Sequence, residues 1–164
     1  TSPGIELVQH ALKWLAEKEN YEPDYIVQLL PTTPLRDPVL VDQAIEKILD
    51  NKEATSLRSA HEMSETAYKD FKMEGEFFVG LFLSRPDDHS LARQLFPITY
   101  HPNGYVDIVI SRCIATPGQL YGNKILSFIT PNTGELDNPE SLGFVEYLLH
   151  KKSFQIYEYL KKNF

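Results

Sequence analysis

The residues whose spacing best suits chemistry are two carboxylates at alternate positions, Glu135 and Asp137, in the segment Glu135-Leu136-Asp137-Asn138-Pro139-Glu140. In an extended backbone both project to one side, the geometry for jointly holding a hard cation such as Mg²⁺, which takes oxygen ligands and few protein ones. A helix N-terminus explains much of the same stretch, with Asn138 as cap, Pro139 in the first turn and Glu140 against the positive end of the dipole. That account leaves over only the Glu135/Asp137 pair.

Arg93-Gln94 and His101 lie on either side of Pro97, and with Arg36 they are the candidates for clamping a carboxylate or a phosphate through charge-assisted hydrogen bonds. Each is equally at home as a surface residue. Asn103, just before Gly104, reads as the positive-φ residue of a tight turn, with a ligand role as the alternative. The five histidines show no metal-ligand spacing, and neither a G-x-S-x-G nor a Cys-His pairing stands out, which argues against a triad hydrolase. Neither a Walker-type loop nor a G-x-G-x-x-G run occurs.

These residues need a scaffold. Asp24 to Arg36 is an apolar run closing in the proline-bracketed polar turn Pro31-Thr32-Thr33-Pro34, and it reads as a buried parallel strand emptying into a site. The order helix (about 4–19), strand (about 24–30), polar loop, helix (about 38–50), strand (about 53–58) is the alternation that makes right-handed crossovers and a parallel sheet. Asp37 caps the second helix, with Pro38 in its first turn and Val41, Ile45, Ile48 and Leu49 facing the core. The first helix carries a stripe of Ile5, Val8, Leu12 and Leu15, capped by Thr1-Ser2-Pro3-Gly4.

From Ser59 to Asp88 aromatics alternate with charges around Gly75 and Gly80, the pattern of an extended hairpin excursion. Aromatics on such a ribbon (Phe71, Phe77, Phe78, Phe82) call for cover, and a homodimer supplies it. Past the loop Ser84 to Asp88, strand chemistry resumes at residues 97–110, where Asn103-Gly104 predicts a second hairpin. A short strand over 125–130, a loop over 131–138 and helices at about 139–150 and 152–162 follow.

A chain of 164 residues is long enough to bury a single core without disulfide or metal. Sixteen basic against 23 acidic residues give a formal charge of −7, which opposes non-specific binding to nucleic acid or to an anionic membrane. The one dense basic cluster, Lys151, Lys152, Lys161 and Lys162, interleaves with Phe154, Ile156, Tyr157 and Leu160 as an amphipathic terminal helix with a solvated face. Cys113 is alone, which fits a reducing, cytoplasmic compartment. No apolar stretch approaches the roughly 20 residues that span a bilayer. Opening on Thr1, the chain reads as beginning within a larger protein.

Four segments, in order, resemble the acylneuraminate cytidylyltransferases, the family of CMP-sialic acid synthetases. Ile26 to Arg36 is similar to the family's L-Q-P-T-S-P-L-R, and Ala54 to Ser64 with Tyr68-Lys69 to its next strand and hairpin entry. Arg93-Gln94, Pro97 and Tyr100-His101-Pro102-Asn103-Gly104 resemble R-Q…P…Y-R-P-N-G, and Glu135 to Glu140 resembles D-I-D-T-x-E. The similarity covers most of residues 1–150.

The resemblance implies a three-layer α/β/α, nucleotide-diphospho-sugar-transferase-like (Rossmann-like) mixed sheet with a protruding dimerisation hairpin. Residues 1–164 are then one α/β domain, a fragment of a larger cytidylyltransferase domain. The implied substrates are CTP and a 2-keto-3-deoxy sugar acid, with Mg²⁺ as cofactor on Glu135 and Asp137. Asp137, Glu135 and Arg93 fall where the family does its catalysis. Leu30, Thr32, Arg36, Gln94, His101 and Asn103 fall with Arg93 along the sugar acid, Lys69 reaches towards a partner subunit's site, and Leu120 and Tyr121 stand where an aromatic pair lines the sugar pocket.

The departures are specific. Leu30 stands for the family's Gln, His101 for an Arg and Glu135 for an Asp, changes that alter reach and, for His101, make charge depend on pH. The family's opening L-x-A-R-x-G-S-K segment, which holds the triphosphate, has no match and would precede Thr1. The isolated chain is therefore expected to be inactive in turnover. The competing expectation is a non-catalytic module that dimerises or binds a sugar acid.

Overall fold

The computed structural model of the protein describes residues 4–82, 87–114, 119–151 and 154–163. They form two compact units, Thr1–Ala60 with Pro102–Phe164, and His61–His101 between them in sequence. The cap over Thr1 to Pro3, part of the loop 84–88 and Lys152 of the basic cluster lie outside the described residues.

The first unit begins with helix α1 (Gly4–Glu19), ended by Asn20 in the left-handed conformation that a C-terminal asparagine accepts. Strand β1 (Tyr25–Gln28) and helix α2 (Pro38–Asp50) follow, and α2 starts as its sequence dictates: the Asp37 side chain accepts from Val39 N at 2.9 Å, with Pro38 in the first turn. Strand β2 (Ser56–Glu62) leads out of this unit and β5 (Tyr100–Ile110) leads back into it. Strand β6 (Ile125–Ile129) and helices α3 (Pro139–Lys151) and α4 (Gln155–Asn163) complete it.

The sheet has the order β1-β5-β2-β6. β2 and β6 are parallel, with Leu57 beside Leu126 and Ser59 beside Phe128, whereas β1 lies antiparallel to β5, with Ile26 beside Val109. The mixed sheet implied by the resemblance is observed, while the reading of Asp24 to Leu30 as a buried parallel strand is corrected. β1 is four residues long, sits at the end of the described strand order and borders β5, so it is not a buried parallel strand flanked by others. Strand-helix alternation constrains neighbours in sequence; here the long return strand takes the place beside β1 instead.

Strand β5 explains the core. Asn103 to Ile110 are buried without a break, because both faces of the sheet are covered. Val106, Ile108 and Ile110 pack with Leu57, Phe128 and the Ala44 and Ile48 of α2. Val109 packs with Ile114 and the Val8 of α1. Alternate residues of one strand thus feed two helices on opposite faces, and the unit is layered helix, sheet, helix. Full burial of each such aliphatic side chain is worth about 1.5–3 kcal/mol.

Asn103-Gly104 does not turn a hairpin, as its sequence predicts; it lies inside the eleven-residue β5. Gly104 takes φ of 57° within the strand, and Asn103 is not a positive-φ residue. The physical reason is tertiary: Asn103 Nδ2 donates to Thr130 Oγ1 at 2.8 Å and its Oδ1 accepts from Tyr105 N at 3.3 Å, which fixes the extended chain on both sides of the glycine. The second strand also begins later than expected, at Ser56, since Asn51 Oδ1 holds the amides of Glu53 and Ala54 in a turn.

The second unit is a hairpin excursion. Strands β3 (Phe71–Glu74) and β4 (Phe77–Gly80) pair antiparallel, with Met73 opposite Phe78, about a turn where Gly75 adopts φ of 65°. Short 3₁₀ turns stand at Ala67–Lys69, Asp88–Ser90 and Arg93–Leu95.

Candidate functional site

The turn after β1 is held by a knot of polar groups. Thr33 N donates to Leu30 O at 3.0 Å and its buried hydroxyl donates to Asn103 O at 3.1 Å. Arg36 reaches back under the turn: its Nε donates to Tyr105 O at 2.6 Å and its Nη2 to Gly104 O at 3.0 Å and to Leu30 O. Asp37 N donates to the Tyr105 hydroxyl, which joins the cap of α2 to the same knot. Burial pulls the Arg36 guanidinium below its ordinary value, and the side chain serves as a clamp on three carbonyls rather than as an open cation.

The acidic loop meets this turn directly. Leu136 N donates to Thr32 O at 2.7 Å, and the Leu136 side chain packs with Leu35, Val145 and Leu148. With Leu136 turned inward, Glu135 is half-buried and Asp137 exposed beside the strand-end turn. The helix N-terminus is built as its residues suggest: Asn138 Oδ1 accepts from Ser141 N at 2.8 Å, while Ser141 Oγ accepts from Asn138 N at 3.3 Å and Asp137 N at 3.2 Å. These bonds use the backbone of Asp137 and leave its carboxylate out of the cap. The local geometry thus groups Leu30, Thr32, Arg36, Asn103, Glu135 and Asp137, with Asn103 and Arg36 engaged inside the knot.

Among the described residues no three His, Cys, Asp or Glu side chains cluster as a self-sufficient metal cage. Two carboxylates beside a polar turn nevertheless fit Mg²⁺, which usually keeps several waters and takes one or two carboxylates together with substrate phosphates.

A second cluster lies on the α1 face; the sequence points to Tyr121 in it, but not to Asp107 or to a role for Arg58. The buried Asp107 of β5 accepts from Ser59 N at 3.2 Å on Oδ1, and on Oδ2 from Arg58 Nε at 3.3 Å and the Tyr121 hydroxyl at 2.9 Å. The Arg58 guanidinium stacks over the Tyr121 ring, 4.2 Å from its centroid. Burial first, and then the Asp107 charge, push the Tyr121 hydroxyl up to about 12. Thr55 and Ser56 hydroxyls both donate to Tyr121 O at 2.7 Å, so the segment carrying Tyr121 is pinned to β2. Leu120 packs in the α1 cluster with Val8. One signal was present in the sequence: Asp107 interrupts the apolar run Tyr105 to Ile110, and a carboxylate buried there requires partners.

In the excursion, Arg93 and Gln94 are exposed on their 3₁₀ turn and line a cavity of about 210 Å³ with Glu62, Thr66, Phe96 and Ile98. Lys69 is half-buried at the end of a turn capped by Thr66, whose Oγ1 accepts from Tyr68 N at 3.3 Å. The His101 ring stands 5.6 Å from that of His61. His61 Nδ1 is buried without a hydrogen-bond partner among the described residues, and burial first, then the His101 charge, hold its imidazole below the ordinary value.

No family model and no curated protein sequence matches the chain. Among solved structures it is similar to that of a CMP:2-keto-3-deoxy-manno-octonic acid synthetase complexed with CTP, with a TM-score of 0.59 and 13% identity over 92% of this chain and 69% of that one. At that identity the likeness is one of fold: mixed α/β with a mixed sheet, of the nucleotide-sugar-transferase kind.

Proposed function

We propose that the chain is part of a nucleotidyltransferase that moves CMP from CTP to a 2-keto-3-deoxy sugar acid, sialic acid-like or eight-carbon, and releases pyrophosphate. The observation that carries this reading is the 2.7 Å bond from Leu136 N to Thr32 O, which seats the carboxylate pair against the strand-end turn. Its fold-level support is the likeness to a synthetase that makes a CMP-linked keto sugar acid.

In the reaction, the anomeric hydroxyl of the acid attacks the α-phosphorus of CTP in line. The new O–P bond forms as the bond to the α,β-bridging oxygen breaks, the hydroxyl proton passes to solvent water, and pyrophosphate departs with the bridging oxygen. Glu135 and Asp137 would hold Mg²⁺, which would supply charge neutralisation on the phosphates. Thr32 and Leu30 shape the turn, and Arg36 keeps it rigid from beneath, so its part is positioning. Leu120 and Tyr121 line the sugar acid. By resemblance, Arg93, Gln94, His101 and Lys69 are the excursion's contribution to binding anionic groups, and the exposed aromatics of β3 and β4 are covered in a homodimer.

The test is pyrophosphate release and sugar-acid binding, measured on the complete nucleotidyltransferase of which the chain is proposed to be part, with CTP, Mg²⁺ and a panel of 2-keto-3-deoxy sugar acids. One acid should bind and support release, and Asp137→Asn should abolish release without lowering the melting temperature. Release unaffected by Asp137→Asn refutes the metal assignment. Binding of an acid with no release in any context favours a sugar-acid-binding module, and failure to bind any acid overturns the reading.

A further inference from the structure

Burying a carboxylate costs several kcal/mol unless its lone pairs are satisfied and its charge is balanced. Asp107 meets both conditions, with three donors across its two oxygens. Arg58 does not use its full capacity in return. A guanidinium held for a structural ion pair alone favours the two-pronged contact with a carboxylate. Here Nε alone contacts Asp107, the guanidinium carbon lies over the Tyr121 ring 4.2 Å from its centroid, and among the described residues the Nη groups have no hydrogen-bond partner. The Arg58 side chain is 33% exposed, against 6% for Asp107. The result is a planar cation held by Asp107 and Tyr121, part-exposed and with its terminal N–H groups uncommitted among the described residues.

We infer that Arg58 is a substrate-binding residue that receives the carboxylate of the keto sugar acid, with Asp107 and Tyr121 as its positioning residues. The inference rests on the reading above, and it adds a specificity determinant that the motif resemblance did not assign. A guanidinium fork accepts a carboxylate or a phosphate equally well. The carboxylate is favoured because the support is the Tyr121 ring, next to Leu120, the pair expected along the sugar acid. Tyr121 keeps its proton far above neutral pH, so it stays a donor to Asp107 and adds no negative charge to repel an acid.

The experiment compares wild type, Arg58→Met, Arg58→Lys and Tyr121→Phe in steady-state kinetics, with CTP and the acid varied separately. Arg58→Met should raise KM for the acid by roughly 10- to 100-fold, the scale of charged hydrogen bonds, with kcat within about threefold and KM for CTP unchanged. Discrimination between the acid and its carboxamide should collapse with it. Arg58→Lys should restore part of the loss, since it keeps the charge without the fork, and it carries the test should Arg58→Met not fold. Tyr121→Phe keeps the stacking ring and should give a smaller rise. An unchanged KM for the acid, or a rise in KM for CTP instead, overturns the inference while leaving nucleotidyl transfer standing. Should no transfer occur, calorimetric titration of the 2-keto-3-deoxy-octonate and its carboxamide into wild type and Arg58→Met reads the same contact. Preference for the acid that is lost in the variant supports the role of Arg58; equal binding by both proteins, or none by wild type, overturns it.

Discussion

The sheet unit and the hairpin excursion use similar residues to opposite ends. In the sheet unit, Leu57, Tyr105, Val106 and Ile108 are essentially sealed from solvent, and polar side chains such as Thr33, Asn103 and Asp107 are sealed with them, each hydrogen-bonded. In the excursion, Phe77 is 75% exposed and Phe78 72%, and every residue of β3 is exposed. A two-stranded hairpin has no second layer and is marginal by itself in water. Hydrophobicity in the sheet unit pays for internal order, while in the excursion much of it lies on the surface. Polar groups divide the same way: those of the sheet unit define a turn geometry, and those of the excursion line an open cavity.

The contrast breaks most visibly by truncation. Ile108→Ala should destabilise the fold by about 2–5 kcal/mol, read as a drop in denaturation midpoint, because the cavity lies between the sheet and α2. A loss below about 1 kcal/mol would mean that this core is loosely packed. Gly104→Ala comes next, at about 1–2 kcal/mol, the cost of φ near 57° for a residue with a Cβ. The added methyl would also stand 2.6 Å from Leu30 Cδ1, but that half-exposed side chain is free to swing aside, so backbone strain dominates.

Phe77→Ser should change the unfolding free energy of a monomer by less than about 0.5 kcal/mol, as surface substitutions do. Its effect belongs to association: light scattering should report a dimer for wild type and a larger monomer fraction for the variant. Equal mass for the two proteins would remove the hairpin from any dimer interface.

The smallest effect is a pH dependence confined to the excursion. Since the fold holds the His61 imidazole below its ordinary value of 6.5, it favours the neutral form. That contribution is complete above about pH 6.5 and is lost as pH falls through the lowered value. Amide hydrogen exchange of residues near His61 should therefore quicken on acidification, after correction for intrinsic rates, more than exchange in β5. Equal change in both units would show that His61 is not the group responsible.

Local signals carried much of this architecture. Asp37-Pro38 fixed the start of α2, and Gly75 fixed the excursion's turn, because capping and positive φ act within a few residues. The acidic segment was also legible as a helix cap. What failed depended on partners distant in sequence. Asn103-Gly104 looked like a hairpin until Thr130, 27 residues away, claimed the asparagine amide. Arg36 looked like an anion clamp until the carbonyls of Gly104 and Tyr105 claimed its guanidinium. The antiparallel pairing of β1 with β5 joins residues more than 80 apart in the chain at Tyr25 and Ile110, beyond any local pattern. Arg58, within a quoted motif, gained significance only from Asp107 and Tyr121, brought beside it by β5 and by the segment before β6.

The central claim is that the carboxylates of Glu135 and Asp137 and the turn at Thr32 share one divalent-cation site. Paramagnetic Mn²⁺, titrated with CTP into isotope-labelled protein, tests it most directly, because the ion broadens only the amides near which it binds. Selective broadening at residues 135–137 and 32–33, lost in Asp137→Asn, is the predicted result. Broadening centred elsewhere, or unchanged by that substitution, would contradict the account.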